Sequence, residues 1–199
     1  MKIAVCQVNP IVGDFSYNVN KVQTFYERAI ESGAELVIFP EMVVCGYPPQ
    51  DLIWENGFVS SSERSIQTIA SFSKIPLIAG FIRKEKNNIY NSAALCANGN
   101  ISFVYDKMLL PTYDVFDEDR YFTPGNSSGL TEVEIGGQPK KIGLQICEDL
   151  WDMDYELKVT NELAQGGAEM IINISASPFH DEQPQIRKTL IEEKVRETK

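Results

Sequence analysis

The stretch KIAVCQVNPIVGDFSYNVNKVQTFYERAIESGAELVIFPE, residues 2–41, decides the fold. Lys2 to Val8 alternates and is rich in Ile and Val, which predicts a strand, and the Pro and Gly of Asn9 to Asp14 break it off. From Asn18, apolar Val19, Val22, Phe25, Ala29 and Ile30 recur at helical spacing as far as Ser32-Gly33, where the glycine suits a C-terminal cap. Glu35 to Phe39 is a short apolar strand of the kind buried in α/β layers. Pro40 ends it and presents Glu41 just beyond its carboxyl end.

The same grammar continues outward. Pro48-Pro49 and Gly57 mark a loop, and Ser62 to Ser73, with Ile66, Ile69, Ala70 and Phe72, reads as a second helix. Leu77 to Arg83, Ile89 to Ala97 and Ile101 to Lys107 are strand-like, and Asn98-Gly99 is a two-residue hairpin signal, so this part of the sheet is expected to be antiparallel. Met108 to Gly129 is long, polar and aromatic, without a period. Thr131 to Ile135 and Lys140 to Ile146 flank Gly136-Gly137, and the second strand delivers Cys147 at its end. A helix is expected from Asp152 to Gln165, ended by Gly166-Gly167, then a strand from Glu169 to Ile174, a loop through Pro178 and Pro184, and a charged helix from Gln185 to Lys199. No repeat or linker interrupts this order, which indicates one α/β layered unit spanning residues 1–199. The sequence stops inside a helical pattern without a stop signal and so reads as a fragment of a longer protein.

Composition narrows the function. The 199 residues are 43% hydrophobic and 10% aromatic, enough for a packed core. Eighteen Lys and Arg stand against 28 Asp and Glu, a formal net charge of −10 that disfavours nucleic acid and anionic membranes as partners. No apolar run approaches the roughly 20 residues of a bilayer span, and the N-terminus lacks the apolar core of a secretory signal, so the chain reads as cytoplasmic. The four cysteines form no CxxC pair and His180 is the only histidine, so no metal site is expected.

Three reactive side chains occupy equivalent places: Glu41, Lys107 and Cys147 each follow a strand. A layered sheet gathers such positions at one rim. Taken singly, each has a bland reading as a solvated charge, a cap or a small buried hydrophobe. Together, a carboxylate, an ammonium and a thiol form an acyl-transfer set, with a base for the thiol proton, a cation for the oxyanion and a nucleophile. Cys6 and Cys96 fall inside expected strands and Cys45 follows the Glu41 segment, so these look structural, while His180 reads as a surface residue.

The strings QVNPIVGDFSYNVNKV, LVIFPEMVVCGYPPQDL, YDKMLLPTYDVFDEDRYFTPG and IGLQICEDLW occur in that order between Gln7 and Trp151, within a resemblance that extends over nearly all of the chain. Together they resemble the nitrilase, or carbon–nitrogen hydrolase, superfamily, and within it the N-terminal glutaminase domains of glutamine-dependent NAD synthetases. The resemblance implies an α/β fold built as a four-layer α-β-β-α sandwich with mixed sheets, truncated at its C-terminal part. It implies a catalytic triad of Glu41, Lys107 and Cys147, supported by Glu118. Tyr113 would line the glutamine pocket and Glu148 would receive the substrate ammonium or amide. Asp149 and Asp152 are alternative caps for the helix that follows.

Ser175, Ser177 and Arg187 match the segment that holds the amino-acid end of glutamine, Arg187 as a fork for the α-carboxylate. Glu182-Gln183 stands where the family commonly has a GK or GR pair. The implied reaction is glutamine hydrolysis through a Cys147 thioester, with ammonia passed to a C-terminal domain that makes NAD from deamido-NAD. ATP and Mg would belong to that domain, since this chain has neither an SGGxDS-type loop nor GxxxxGK[ST]. The family also implies a homo-oligomer. The rival readings are a stand-alone amidase or nitrilase acting on another small amide, and a non-catalytic interaction fragment.

Overall fold

The computed structural model describes residues 1–113, 116–178 and 180–198, so Asp114, Val115 at the start of the VFDEDRYF string, Phe179 of NISASPF and the terminal Lys199 lie outside the described residues. Strand β1 (Ile3–Val5) leads through α1 (Phe15–Glu31) to β2 (Leu36–Ile38), and α2 (Phe58–Phe72) leads to β3 (Leu77–Glu85), β4 (Asn88–Ala97) and β5 (Asn100–Asp106). These strands form one sheet in the order β1-β2-β3-β4-β5. Its first three strands are parallel and its last three antiparallel. Strands β6 (Leu130–Ile135), β7 (Gln138–Ile146) and β8 (Met170–Ile174) form a second mixed sheet, with α3 (Val159–Gln165) and α4 (Gln183–Glu197) completing the order.

Strand alternation explains the layering. Val37, Leu77, Ala79, Ala94 and Cys96 point to one face of the larger sheet and pack on Val22, Tyr26, Ile66 and Ile69 of α1 and α2. Their neighbours Leu36, Ile78, Ala93, Leu95 and Tyr105 point the other way, into an apolar seam with Val133, Ile142, Leu144 and Ile146 of the smaller sheet. Val159 and Leu163 of α3 cover that sheet with Ile171, which gives the expected four-layer α-β-β-α sandwich. Both expected hairpin dipeptides sit at the tips, Asn98 and Gly99 at φ 52° and 79°, Gly136 and Gly137 at φ 59° and 74°. Two successive positive values match the two-residue turn that fits strand twist.

Several boundaries differ from the sequence reading. Helix α1 begins at Phe15, not Asn18, because the Asp14 carboxylate accepts the Tyr17 N–H at 3.0 Å and caps it there. Helix α2 starts at Phe58, straight after Gly57. The continuous helix expected over Asp152–Gln165 is not formed: two short 3₁₀ turns, Cys147–Leu150 and Asp152–Asp154, precede an irregular stretch, and α3 starts only at Val159. The carbonyls of Asp152 and Met153, which an α-helix would use, instead accept the Lys158 Nζ at 2.6 and 2.8 Å. The Asp152 carboxylate is held by buried Lys194 of α4. Pro184 lies in the first turn of α4, a place where its missing N–H costs nothing.

One glycine bears directly on Glu41. Gly80 of β3 donates its N–H to Pro40 O at 3.1 Å and accepts from the Val44 N–H at 3.2 Å, so the Glu41 loop lies on its bare Cα. A Cβ there would stand 2.3 Å from Met42 N and 2.6 Å from Glu41 Cα. We expect Gly80→Ala to lower the unfolding free energy by about 1–3 kcal/mol in urea denaturation. An unchanged midpoint would show that the loop gives way without strain.

Candidate active site

Glu41 lies three residues past β2, while Lys107 and Cys147 directly follow β5 and β7, one strand from each sheet meeting at a common rim. Lys107 is fully buried, and its Nζ lies 3.0 Å from Glu41 Oε1 and 2.8 Å from Glu118 Oε2. Glu41 is further held by Asn91 Nδ2 at 2.7 Å on Oε1 and by the Ala176 N–H at 2.9 Å on Oε2. Glu118, delivered by the 3₁₀ turn Glu118–Arg120, accepts Tyr47 Oη at 3.0 Å. A buried ammonium thus sits between two carboxylates, of which Glu41 accepts two further donors and Glu118 one.

Electrostatics follow from that burial. Desolvation works against the Lys107 charge, but Glu41, Glu118 and the nearby thiol outweigh it and hold Lys107 well above its usual value. Burial raises the Glu118 carboxyl, opposed by Lys107. Burial also pushes the Cys147 thiol up to about 12, aided by Glu41 and opposed by Lys107 and the Ser175 and Ser177 hydroxyls. At rest the Cys147 thiol is therefore neutral, and as a nucleophile it would need a base beside it. Burial raises the thiols of Cys6, Cys45 and Cys96 as well, and all three are enclosed.

Cys147 has φ 45°, the left-handed region that a side chain enters only when its surroundings hold it there. Asn173 of β8 supplies the hold: its Oδ1 accepts the Cys147 N–H at 3.0 Å and its Nδ2 donates to Cys147 O at 3.3 Å. Ser175 Oγ donates to Cys147 Sγ at 3.4 Å, Ser177 Oγ lies 3.4 Å from the same sulfur, and the two hydroxyls are 2.7 Å apart. Expected at the amino-acid end of a substrate, both serines touch the sulfur itself.

Glu148 is buried, and its carboxylate accepts Tyr113 Oη at 2.9 Å and Tyr155 Oη at 3.0 Å. Tyr113 itself is half exposed, so the pair forms a polar rim. Arg187 is half-buried on α4 and lines a cavity of about 380 Å³ with Gln7, Gln183 and the two serines. His180 is exposed.

Asn91, Tyr47, Asn173, Tyr155 and the Ala176 N–H were not legible as site residues. Asn91 had the best signal, a polar residue that with Ser92 interrupts a largely apolar strand, where burial demands a partner. Tyr47 lay in view within GYPP but carries no chemistry until Glu118 is placed beside it.

The carbon–nitrogen hydrolase family profile matches residues 2–190. The chain is 36% identical over 198 residues to a glutamine-dependent NAD(+) synthetase of Thermotoga maritima, covering 98% of this chain and 33% of that one. It superimposes on the structure of a glutamine-dependent NAD+ synthetase from Acinetobacter baumannii with a TM-score of 0.89 at 30% identity, over 98% of this chain and 36% of that one. An amidase from Nesterenkonia sp. shares the fold, with a TM-score of 0.80 at 23% identity, over 100% of this chain and 72% of that one. The chain spans about a third of the length of the curated relatives it matches. Among the described residues no helix is long and apolar enough to cross a membrane.

A neutral resting thiol has an optical test. In the difference between this protein and Cys147→Ser, we expect no thiolate absorbance step at about 240 nm between about pH 5 and pH 9. A step inside that window would show that Lys107 outweighs burial and Glu41.

Proposed function

The chain belongs to the carbon–nitrogen hydrolase family, and on that footing we propose that residues 1–199 form a nitrilase-like glutamine amidohydrolase domain. The observation that carries this reading is the buried Lys107 ammonium bonded to Glu41 and Glu118 at the same rim as the Cys147 thiol. In the first half-reaction the Cys147 proton passes to Glu41 while sulfur bonds to the amide carbon. The carbonyl oxygen becomes an oxyanion facing the Lys107 ammonium, in a water-poor site where a fixed cation acts strongly. The carbon–nitrogen bond then breaks as Glu41 returns the proton to nitrogen, leaving ammonia and a γ-glutamyl thioester. Water attacks this thioester, Glu41 takes its proton, and sulfur leaves and recovers a proton as glutamate forms.

Specificity lies at the rim. Glu148, oriented by Tyr113 and Tyr155, is the partner for the substrate ammonium, and Arg187 is the fork for its carboxylate. Glu118 keeps Lys107 in place. In the whole protein the ammonia feeds an ATP-dependent amidation of deamido-NAD by a C-terminal synthetase domain, which would hold ATP and Mg, and the assembly is a homo-oligomer in the cytoplasm. Support for this larger role comes from the relatives' names and from the synthetase-like strings GYPPQDL, VFDEDRYF and CEDLW.

Ammonia release from glutamine tests the reading. We expect Cys147→Ala, Glu41→Gln and Lys107→Met each to lower kcat by roughly 1,000-fold or more. Turnover surviving Cys147→Ala would refute the mechanism, and release from simple amides but not from glutamine would favour a stand-alone amidase. For Glu148→Gln we expect KM for glutamine to rise about 10-fold or more with a smaller change in kcat, the signature of a lost bond to a charged group. An unchanged KM would remove Glu148 from the substrate rim.

A further inference from the structure

Lys107 and Cys147 stand on different sheets, and no strand ladder joins the two: β5 belongs to the five-stranded sheet and β7 to the three-stranded one. The seam between them is apolar, built from Leu36, Ile78 and Leu95 against Ile142, Leu144 and Ile146. Such packing holds layers together without fixing their relative slide, because it is non-directional. The chemistry tolerates little slide, since reacting groups must be held within about 0.5 Å.

Asp149 lies on this boundary. It is fully buried, two residues past the nucleophile. Its Oδ1 accepts the N–H groups of Met108 at 3.1 Å and Leu109 at 2.9 Å, the two residues that follow Lys107. Its Oδ2 accepts Tyr105 Oη at 2.8 Å, from two residues before Lys107, and the N–H of Ile146 at 2.8 Å, immediately before Cys147. Only the Ile146 bond is what a cap for the Cys147–Leu150 turn requires. The other donors come from 40 to 44 residues away and share nothing with that turn except the carboxylate.

We propose that Asp149 is a positioning residue, whose single carboxylate fixes the separation of Lys107 and Cys147 by binding the backbone that carries each. This role rests on the amide-hydrolysis reading of the site. The residue type is dictated by the donor set: an ionised carboxylate accepts at four lone-pair sites and donates at none. Asparagine would turn an N–H₂ group toward two donors, whichever way it is placed. Burial pushes the carboxyl up to about 6, opposed by the Ile146 and Leu109 N–H groups, the Tyr105 hydroxyl and Lys107, so these donors keep it ionised at neutral pH. Glutamate, one methylene longer, would carry the contact past both backbones.

The experiment compares the full chain with Asp149→Asn and Tyr105→Phe, using circular dichroism to establish folding, glutaminase kinetics, and crystal structures. For Asp149→Asn we expect KM for glutamine within about threefold of the parent, kcat lower by about 100-fold, and a Lys107-to-Cys147 Cα separation altered by about 0.5 Å or more. A folded variant with parental kcat, or with an unaltered separation, would overturn the proposal. If Asp149→Asn does not fold, Tyr105→Phe decides, because it removes one of the four donors and leaves the carboxylate. Its kcat is expected to fall about fivefold at constant KM, and parental kcat would overturn the proposal. A parent that releases no ammonia would sink the glutaminase reading alone, and the separation in the variant crystals would still test the clamp.

Discussion

A lysine ammonium with no access to water is the constraint around which this molecule is arranged. Removing such a charge from water costs several kcal/mol, and the cost is recovered only if partners meet it closely and are themselves satisfied. Lys107 obtains those partners from Glu41, 66 residues earlier, and Glu118, 11 residues later. Each brings further donors: Asn91 and the Ala176 N–H for Glu41, Tyr47 for Glu118. Strands of both sheets and the long loop after β5 are therefore committed to one cation. Burial, aided by the neighbouring Glu41 and opposed by Lys107, keeps the Cys147 thiol protonated beside this cluster.

Cys147 obeys a second constraint, that of the backbone. A cysteine at φ 45° is strained, and Asn173 holds it by binding both its N–H and its carbonyl. The parallel pairing of β7 with β8 places Asn173 opposite Gln145, close enough to reach over the strand end. Beyond β8 the chain supplies Ser175, Ala176 and Ser177 in turn, two hydroxyls to the Cys147 sulfur and one N–H to Glu41. Short-range geometry at the end of one strand thus reaches both the Cys147 thiol and the Glu41 carboxylate.

Much of this was legible before any coordinates. Periodicity carried the βαβ start, the Asn-Gly and Gly-Gly dipeptides carried the hairpins, and the strand ends carried Glu41, Lys107 and Cys147. Met108 to Gly129 resisted because long-range bonds shape it: Tyr113 to Glu148, Glu118 to Lys107, and the Gly125 N–H to Lys107 O. No local pattern encodes such partners. The failed helix after Asp152 has the same origin, since Lys158 and Lys194 take up the groups a helix would use. Asn173 and Asp149 are ordinary letters in the sequence, and acquire meaning only when distant backbone groups arrive beside them, while the polar letter at Asn91 finds its partner in the Glu41 carboxylate.

The proposed reaction requires Cys147 to bond covalently to the carbon of a glutamine side-chain amide. Quenching the protein in acid during glutamine turnover and analysing its peptides by mass spectrometry would trap that bond. A γ-glutamyl group is expected on Cys147, and none without glutamine. Glutamine consumed while the Cys147 peptide stays unmodified throughout the quench series would contradict the proposed reaction.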